Sequence, residues 1–158
     1  MVALLIACQN PFAPGLAAPG SGGGMLTDQK SVEGLFTNFS YSYKFKDTVV
    51  YGNMLAPEFM FIYRNYDKGI DVTWNRQEDM LATYGMFKSA QNIDLIWNEI
   101  VLQQGDSIRL DITRSFTMSI MFSQTDVLPV QGRASLRIER SDTLKPWKIT
   151  VWRDESNY

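Results

Sequence analysis

The chain has 158 residues, of which 45% are hydrophobic and 20% charged, the length and composition of one globular domain. Its net charge is −2 and its Lys and Arg residues are scattered, which excludes a basic stripe for nucleic acid. The sequence contains no histidine and a single cysteine, Cys8. Ser–His–Asp and Cys–His catalysis, an intrachain disulfide and a cysteine-based zinc site are therefore excluded. We predict neither a metal nor a cofactor, and only carboxylate, tyrosine, lysine or arginine chemistry remains.

The N-terminal residues predict a lipid attachment site. Leu5-Ile6-Ala7-Cys8 resembles a bacterial lipobox, so we interpret residues 1–8 as a signal-peptide remnant whose true start lies upstream, and Cys8 as the lipidated residue. Residues 9–26 are rich in Pro, Gly and Ala and predict a disordered linker reaching roughly 20–25 Å. The expected location is the bacterial cell envelope, on the periplasmic or cell-surface side, with membrane contact through lipid only. An accidental match on a disordered tail is the alternative.

Three helices are predicted at the start of a single domain spanning residues 27–158. The first covers about 28–46, with Thr27 or Asp28 as N-cap and an apolar stripe at Val32, Leu35, Phe36, Phe39 and Tyr43. A second runs from 47 to about 55 and is ended by Pro57, before a short strand at 59–63 and a polar turn at 65–69. Thr73 is the predicted N-cap of a third helix over 74–90, whose stripe is Trp74, Gln77, Leu81 and Tyr84.

The rest of the chain alternates with the period of strands. Residues 93–104 are apolar on both faces and predict a central strand covered on two sides, followed by a hairpin turn at Gly105-Asp106. Residues 108–122 place apolar side chains at almost every even position, which predicts a half-buried strand so long that it must bend. Further strands are expected at 130–140 and 147–154, with Trp147, Ile149 and Val151 on one face. Helices followed by an antiparallel meander make an α+β domain.

This order of elements resembles the NTF2-like (SnoaL-like) superfamily over about residues 28–156. The residues that carry the resemblance are Tyr43-Lys44-Phe45-Lys46-Asp47 through Leu55-Ala56-Pro57-Glu58-Phe59, and the closing Trp147–Asp154 strand, similar to those of bacterial lipoproteins of unknown role. The resemblance implies a cone-shaped fold in which N-terminal helices pack on a strongly curved antiparallel sheet around a pocket. It also implies that a homodimer could form through the sheet. Superfamily members include isomerases, dehydratases, cyclases and non-catalytic binders, and no catalytic residue can be carried over to this chain.

The candidate ligand-binding residues are Arg114, Tyr63, Trp97 and Phe116. Arg114 occupies an even position of the long strand, where the neighbouring even positions are apolar. Burying an unpaired guanidinium there would cost several kcal/mol. Either a bend brings it to the sheet's edge, or it points into the pocket, where it pairs with Glu58, Asp71 or Asp94 or binds an anion. The three aromatic residues either line a cavity or only pack the core. The carboxylates Glu78, Asp79 and Asp154 are interpreted as surface charges, with acid–base roles as the alternative.

Two functions from different classes remain. The first is a lipid-anchored, non-catalytic module whose pocket binds a small apolar or anionic ligand, or whose sheet docks an envelope protein. The second is a carboxylate-based isomerase or cyclase acting on a small apolar substrate. The lack of histidine favours the first. A cavity faced by two titratable groups with raised pKa values would favour the second.

Overall fold

The computed structural model describes residues 25–155 and shows three helices packed on one six-stranded sheet. The helices are α1 (Val32–Phe45), α2 (Thr48–Met54) and α3 (Arg76–Ser89). The strands are β1 (Leu55–Asn65), β2 (Ile70–Asn75), β3 (Asn92–Gly105), β4 (Arg109–Ser123), β5 (Asp126–Glu139) and β6 (Lys148–Asp154). Their order in the sheet is β2-β1-β6-β5-β4-β3. The predicted α+β class is confirmed. Within residues 25–155, no helix is long and apolar enough to cross a bilayer.

The sheet is antiparallel except at one pair, a feature that the prediction of an antiparallel sheet missed. β1 and β6 run parallel, while the other neighbouring strands pair antiparallel. The parallel register is interrupted between Leu55 and Met60, and that interval contains Pro57. Proline cannot donate a ladder hydrogen bond, so it is tolerated where the ladder is broken. Pro57 thus lies inside β1 and does not end α2.

The core lies between the helices and one face of the sheet. α1 buries Leu35, Phe36, Phe39 and Tyr43, as its predicted stripe requires, although its N-cap is Ser31. β4 contributes the alternate residues Ile112, Phe116 and Ile120, which confirms the even-position pattern. Facing aromatic rings pack edge to face around Phe39, whose ring centroid lies 5.3 Å from those of Trp97 and Trp152.

The third helix begins later than predicted, and it buries a different face. Residues 70–75 form β2, and Asn75 caps α3 through a capping box in which its side chain accepts from the backbone of Glu78. The predicted stripe residues Leu81 and Tyr84 are exposed. The buried residues of α3 are Asp79, Thr83 and Phe87.

β3 is an edge strand and not the central strand that its apolar composition predicts. Among the described residues it pairs only with β4, and Ile96, Val101 and Leu102 are exposed. The pairing register of β3 and β4 shifts between Trp97 and Ile100 and again before Leu102. These irregularities bend the edge of the sheet.

The hairpin turn between β3 and β4 depends on a glycine. Gly105 has φ +130°, and a Cβ there would lie 2.2 Å from the carbonyl oxygen of Arg109. Gly105→Ala is therefore expected to lower the free energy of unfolding by at least ~2 kcal/mol. Gly85→Ala is the matched control, because Gly85 lies in α3 with nothing within 4 Å of the added Cβ. It is expected to stabilise by about 0.5–1 kcal/mol. Urea denaturation measures both, and a loss of equal size in the two variants would contradict this account.

Candidate functional site

A cavity of about 260 Å³ opens between α1, α3 and the concave face of the sheet. Its wall is mostly apolar and includes six aromatic residues: Phe39, Tyr43, Phe61, Trp74, Phe116 and Trp152. The polar part of the wall includes Asp79 and Thr83 from α3 and Asp154 from β6. The cavity is therefore an aromatic chamber with carboxylates in its wall.

Asp79 is the most unusual group of this cavity. Asp79 is 3% exposed, and its Oδ2 accepts a hydrogen bond of 2.8 Å from the hydroxyl of Tyr51. Burial raises the pKa of Asp79 from 3.8 to about 6, against the lowering effect of the Tyr51 hydrogen bond. A carboxyl in this state can exchange a proton near neutral pH.

Tyr51 holds this carboxylate in place. It is fully buried in α2, and burial, with the nearby Tyr43 and Asp79, raises its pKa well above the ordinary value of 10.0. The phenol therefore stays protonated as a donor at neutral pH. Its ring packs edge to face with Phe39 and Tyr43, which fixes the direction of the hydroxyl.

A second polar group in the wall lacks a partner. The indole Nε1 of Trp152 is buried and makes no hydrogen bond within the described part of the chain. Trp152 follows a register shift between β5 and β6, where Arg137 pairs with Val151 and Ile138 with Ile149. The extra residue, Thr150, reverses the parity, so Trp152 is buried and the predicted inward residue Val151 is only half-buried. A ligand or water that accepts from Nε1 would satisfy the indole.

Of the four predicted ligand-binding residues, only Phe116 lines this cavity. Trp97 and Arg114 line a separate groove of about 460 Å³ between α1 and β3. Tyr63 lies further along β1, with its ring 5.3 Å from that of Trp74. Cys8 and residues 9–24 lie outside the described residues. No cluster of three or more metal-ligating side chains occurs within residues 25–155.

Arg114 is paired with a carboxylate, but not with Glu58, Asp71 or Asp94 as predicted. Its Nη1 lies 3.0 Å from both carboxylate oxygens of Glu33 on α1, and its Nε donates to the carbonyl of Asn98 at 2.9 Å. The guanidinium also lies 4.6 Å from the ring centroid of Phe36. The Asn98 carbonyl is free to accept because β3 is irregular there, whereas the β4–β5 register is continuous through Arg114. The irregular backbone beside Arg114 therefore belongs to β3 and not to β4, the strand that carries Arg114.

Arg114→Met is expected to lower the free energy of unfolding by about 1–2 kcal/mol, because the Asn98 carbonyl and Glu33 both lose a charged donor. Glu33→Gln, the control, should cost less than about 1 kcal/mol, since the side chain of Glu33 is 66% exposed and can be hydrated. Thermal and urea unfolding measure both. Equal losses in the two variants would show that the ion pair with Glu33, and not the other contacts of Arg114, carries the stabilisation.

Comparison with solved structures identifies the architecture. A candidate dehydratase of the NTF2-like family from Streptomyces avermitilis superposes with a TM-score of 0.63 at 10% identity, over 80% of this chain and 94% of that one. The chain has the NTF2-like fold. A candidate scytalone dehydratase from Novosphingobium aromaticivorans matches this chain with a TM-score of 0.69 at 9% identity, over 82% and 83% of the two chains.

A third match is a hexachlorocyclohexane dehydrochlorinase, LinA type 2. Its TM-score is 0.62 at 8% identity, over 80% of this chain and 83% of that one. Identities this low show the shared fold alone. No family model and no curated protein sequence matches the chain.

Proposed function

We propose that the chain binds a small, mainly apolar molecule in the aromatic cavity. The observation that carries the proposal is a cavity of about 260 Å³ with the buried carboxyl of Asp79 in its wall. An apolar cavity of about 150 Å³ is enough for benzene, so this one has room for a substituted single ring. It is smaller than the ~300–1,000 Å³ typical of sites for drug-sized ligands.

The mixed chemistry of the wall favours binding over simple packing. Aromatic side chains provide contact area, while the carboxyl of Asp79 provides an acceptor that can fix a ligand's orientation. Burying a carboxyl in this way destabilises the folded protein unless its charge has a use or a partner. The Tyr51 hydroxyl supplies one hydrogen bond to the carboxyl, and a ligand that contacts Asp79 would supply a further one.

Methionine methyl NMR tests this proposal directly. Met86 and Met118 line the cavity, whereas Met60 of β1 is 43% exposed and is absent from the cavity wall. With ¹³C-labelled methionine methyl groups, single-ring fragments should shift the Met86 and Met118 signals and leave Met60 unchanged. Fragment binding that moves only exposed methionines, or no binding at all, would contradict the proposal.

A second candidate is an isomerase-type enzyme that uses Asp79 as general base. It is favoured by the pKa of about 6, which is close to the pH at which a base is both ionised and reactive. In that case Asp79 takes a proton from a bound carbon acid and returns it to another atom of the same molecule. Deuterium incorporation into a bound ketone in D₂O tests this candidate. The exchange should occur with the wild type and disappear in Asp79→Asn.

We further propose that the domain is tethered to the envelope through a lipid on Cys8. This rests on the lipobox-like sequence and on the Pro/Gly/Ala-rich segment that follows it. The gene with its complete signal, expressed in a bacterial host, should incorporate labelled palmitate, and the Cys8→Ser variant should not. An unlabelled product that remains freely soluble would contradict the anchor and leave the cavity proposal unaffected.

A further inference from the structure

We propose that the ligand of the aromatic cavity is an organic cation, a protonated amine or quaternary ammonium group on a small apolar body. This inference rests on the proposed binding function and names the chemical class of its ligand. It follows from two properties of the cavity: the sign of its charged groups and the nature of its apolar wall.

The charged groups in the wall all have one sign. The ionisable side chains Asp79 and Asp154 are both carboxylates, and no Lys or Arg within residues 25–155 contributes to the wall. Two arginines on strands that border the cavity have carboxylate partners elsewhere. Arg114 pairs with Glu33 across the α1–β3 groove, and Arg153 donates to Asp71 at 2.9 Å. The two carboxylates would repel an anionic ligand and attract a cation.

The apolar wall suits a cation as well as a neutral molecule. The ring of Trp152 meets those of Phe61 and Phe39 at 85° and 77°, with centroids 5.1 and 5.3 Å apart. Rings set at such angles form adjoining walls that present faces as well as edges. A cation within about 6 Å of a ring face is attracted by the negative π surface, most strongly at tryptophan. Trp74 adds a second indole, 5.4 Å from Phe61.

Neutral hydroxyl compounds are the closest competitors. Their O–H can also donate to Asp79, but they gain neither the charge-assisted hydrogen bond nor the attraction to the ring faces. The buried Nε1 of Trp152 is not a cation site, because it is a donor. A hydroxyl or ether oxygen on the same ligand, or a water molecule, would satisfy it.

Three probes of matched size and different charge separate these alternatives: benzylamine, benzyl alcohol and benzoate. Isothermal titration at neutral pH should show benzylamine binding roughly tenfold more tightly than benzyl alcohol, with benzoate the weakest. Asp79→Asn keeps the shape of the side chain and its acceptor for Tyr51, and should remove most of the amine's advantage. Asp126→Asn, the same change at the exposed start of β5, should have no effect.

A second variant keeps the test valid if Asp79→Asn folds poorly. Trp74→Leu removes an aromatic face without changing the charge, and should weaken benzylamine binding several-fold more than benzyl alcohol binding. Benzyl alcohol or benzoate binding as tightly as benzylamine would overturn the cation preference while leaving the cavity a binding site. If none of the three probes shifts the Met86 and Met118 methyl signals, the binding function fails as well.

Discussion

Replacing Asp79 with asparagine should raise the free energy of unfolding by up to about 3 kcal/mol at neutral pH and by almost nothing near pH 4. Burial raises the pKa of Asp79 from 3.8 in an ordinary setting to about 6 in the folded protein. A carboxyl whose pKa is raised by folding stabilises the folded state below the unfolded value, and this contribution is lost as the pH rises through the folded value. The rise of the Asp79 pKa from 3.8 to about 6 corresponds to a loss of about 3 kcal/mol in the free energy of unfolding.

The measurement is urea denaturation of both proteins at a series of pH values. The difference between them isolates Asp79, because other titrating groups are common to both. Hydrogen bonds from Arg153 and Arg64 lower the pKa of Asp71. Hydrogen bonds from two backbone amides lower the pKa of Asp106. Those two groups lose their stabilising contribution as the pH falls, which is the opposite direction. A difference that stays constant between about pH 4 and 8 would contradict the burial of Asp79.

Replacing Phe39 with alanine should have the largest effect on stability, a loss of about 3–5 kcal/mol. Phe39 is 1% exposed and contacts the rings of Tyr43, Tyr51, Trp97 and Trp152. It also borders the aromatic cavity, so truncation adds empty volume next to existing space, and the wall cannot readily collapse into it.

Phe45→Ala in the same helix is the matched control. Phe45 is 55% exposed and its ring centroid lies 4.6 Å from that of Tyr41, so its truncation should cost less than about 1 kcal/mol. Guanidinium unfolding monitored by tryptophan fluorescence compares the two variants. A loss for Phe39→Ala no greater than that for Phe45→Ala would show that the ring cluster does not carry the core.

The parts of the fold that sequence could predict are those governed by local periodicity. α1 and β4 each bury one face against the core, so their apolar residues recur at 3.6 and 2 residues and reveal both the element and its buried side. β2 was missed although its apolar and polar residues alternate, because Thr73 and Trp74 also fit the N-cap and first turn of a helix and were assigned to α3. β3 was misplaced because strand order depends on pairing between distant residues, which the composition of one strand does not report.

The aromatic cavity was harder to predict because its polar residues break the usual patterns. An apolar stripe on α3 indicates Leu81 and Tyr84, yet the helix turns Asp79 and Thr83 inward, since it covers a cavity and not a fully packed core. Trp152 was missed because one additional residue, Thr150, reverses the parity of β6. Arg114 was recognised as an exception, but its partner Glu33 lies 81 positions away in sequence and no local pattern connects them.

The most direct test of the central claim is a ¹³C NMR titration of the Asp79 carboxyl, free and saturated with a small ligand. A buried carboxyl in the wall of a binding cavity should titrate with a pKa of about 6 in the free protein. Its pKa should then fall when benzylamine is bound, since a nearby cation favours the ionised form. A free-protein pKa close to the ordinary 3.8, unchanged by any ligand, would contradict the claim that Asp79 is the polar anchor of a ligand site.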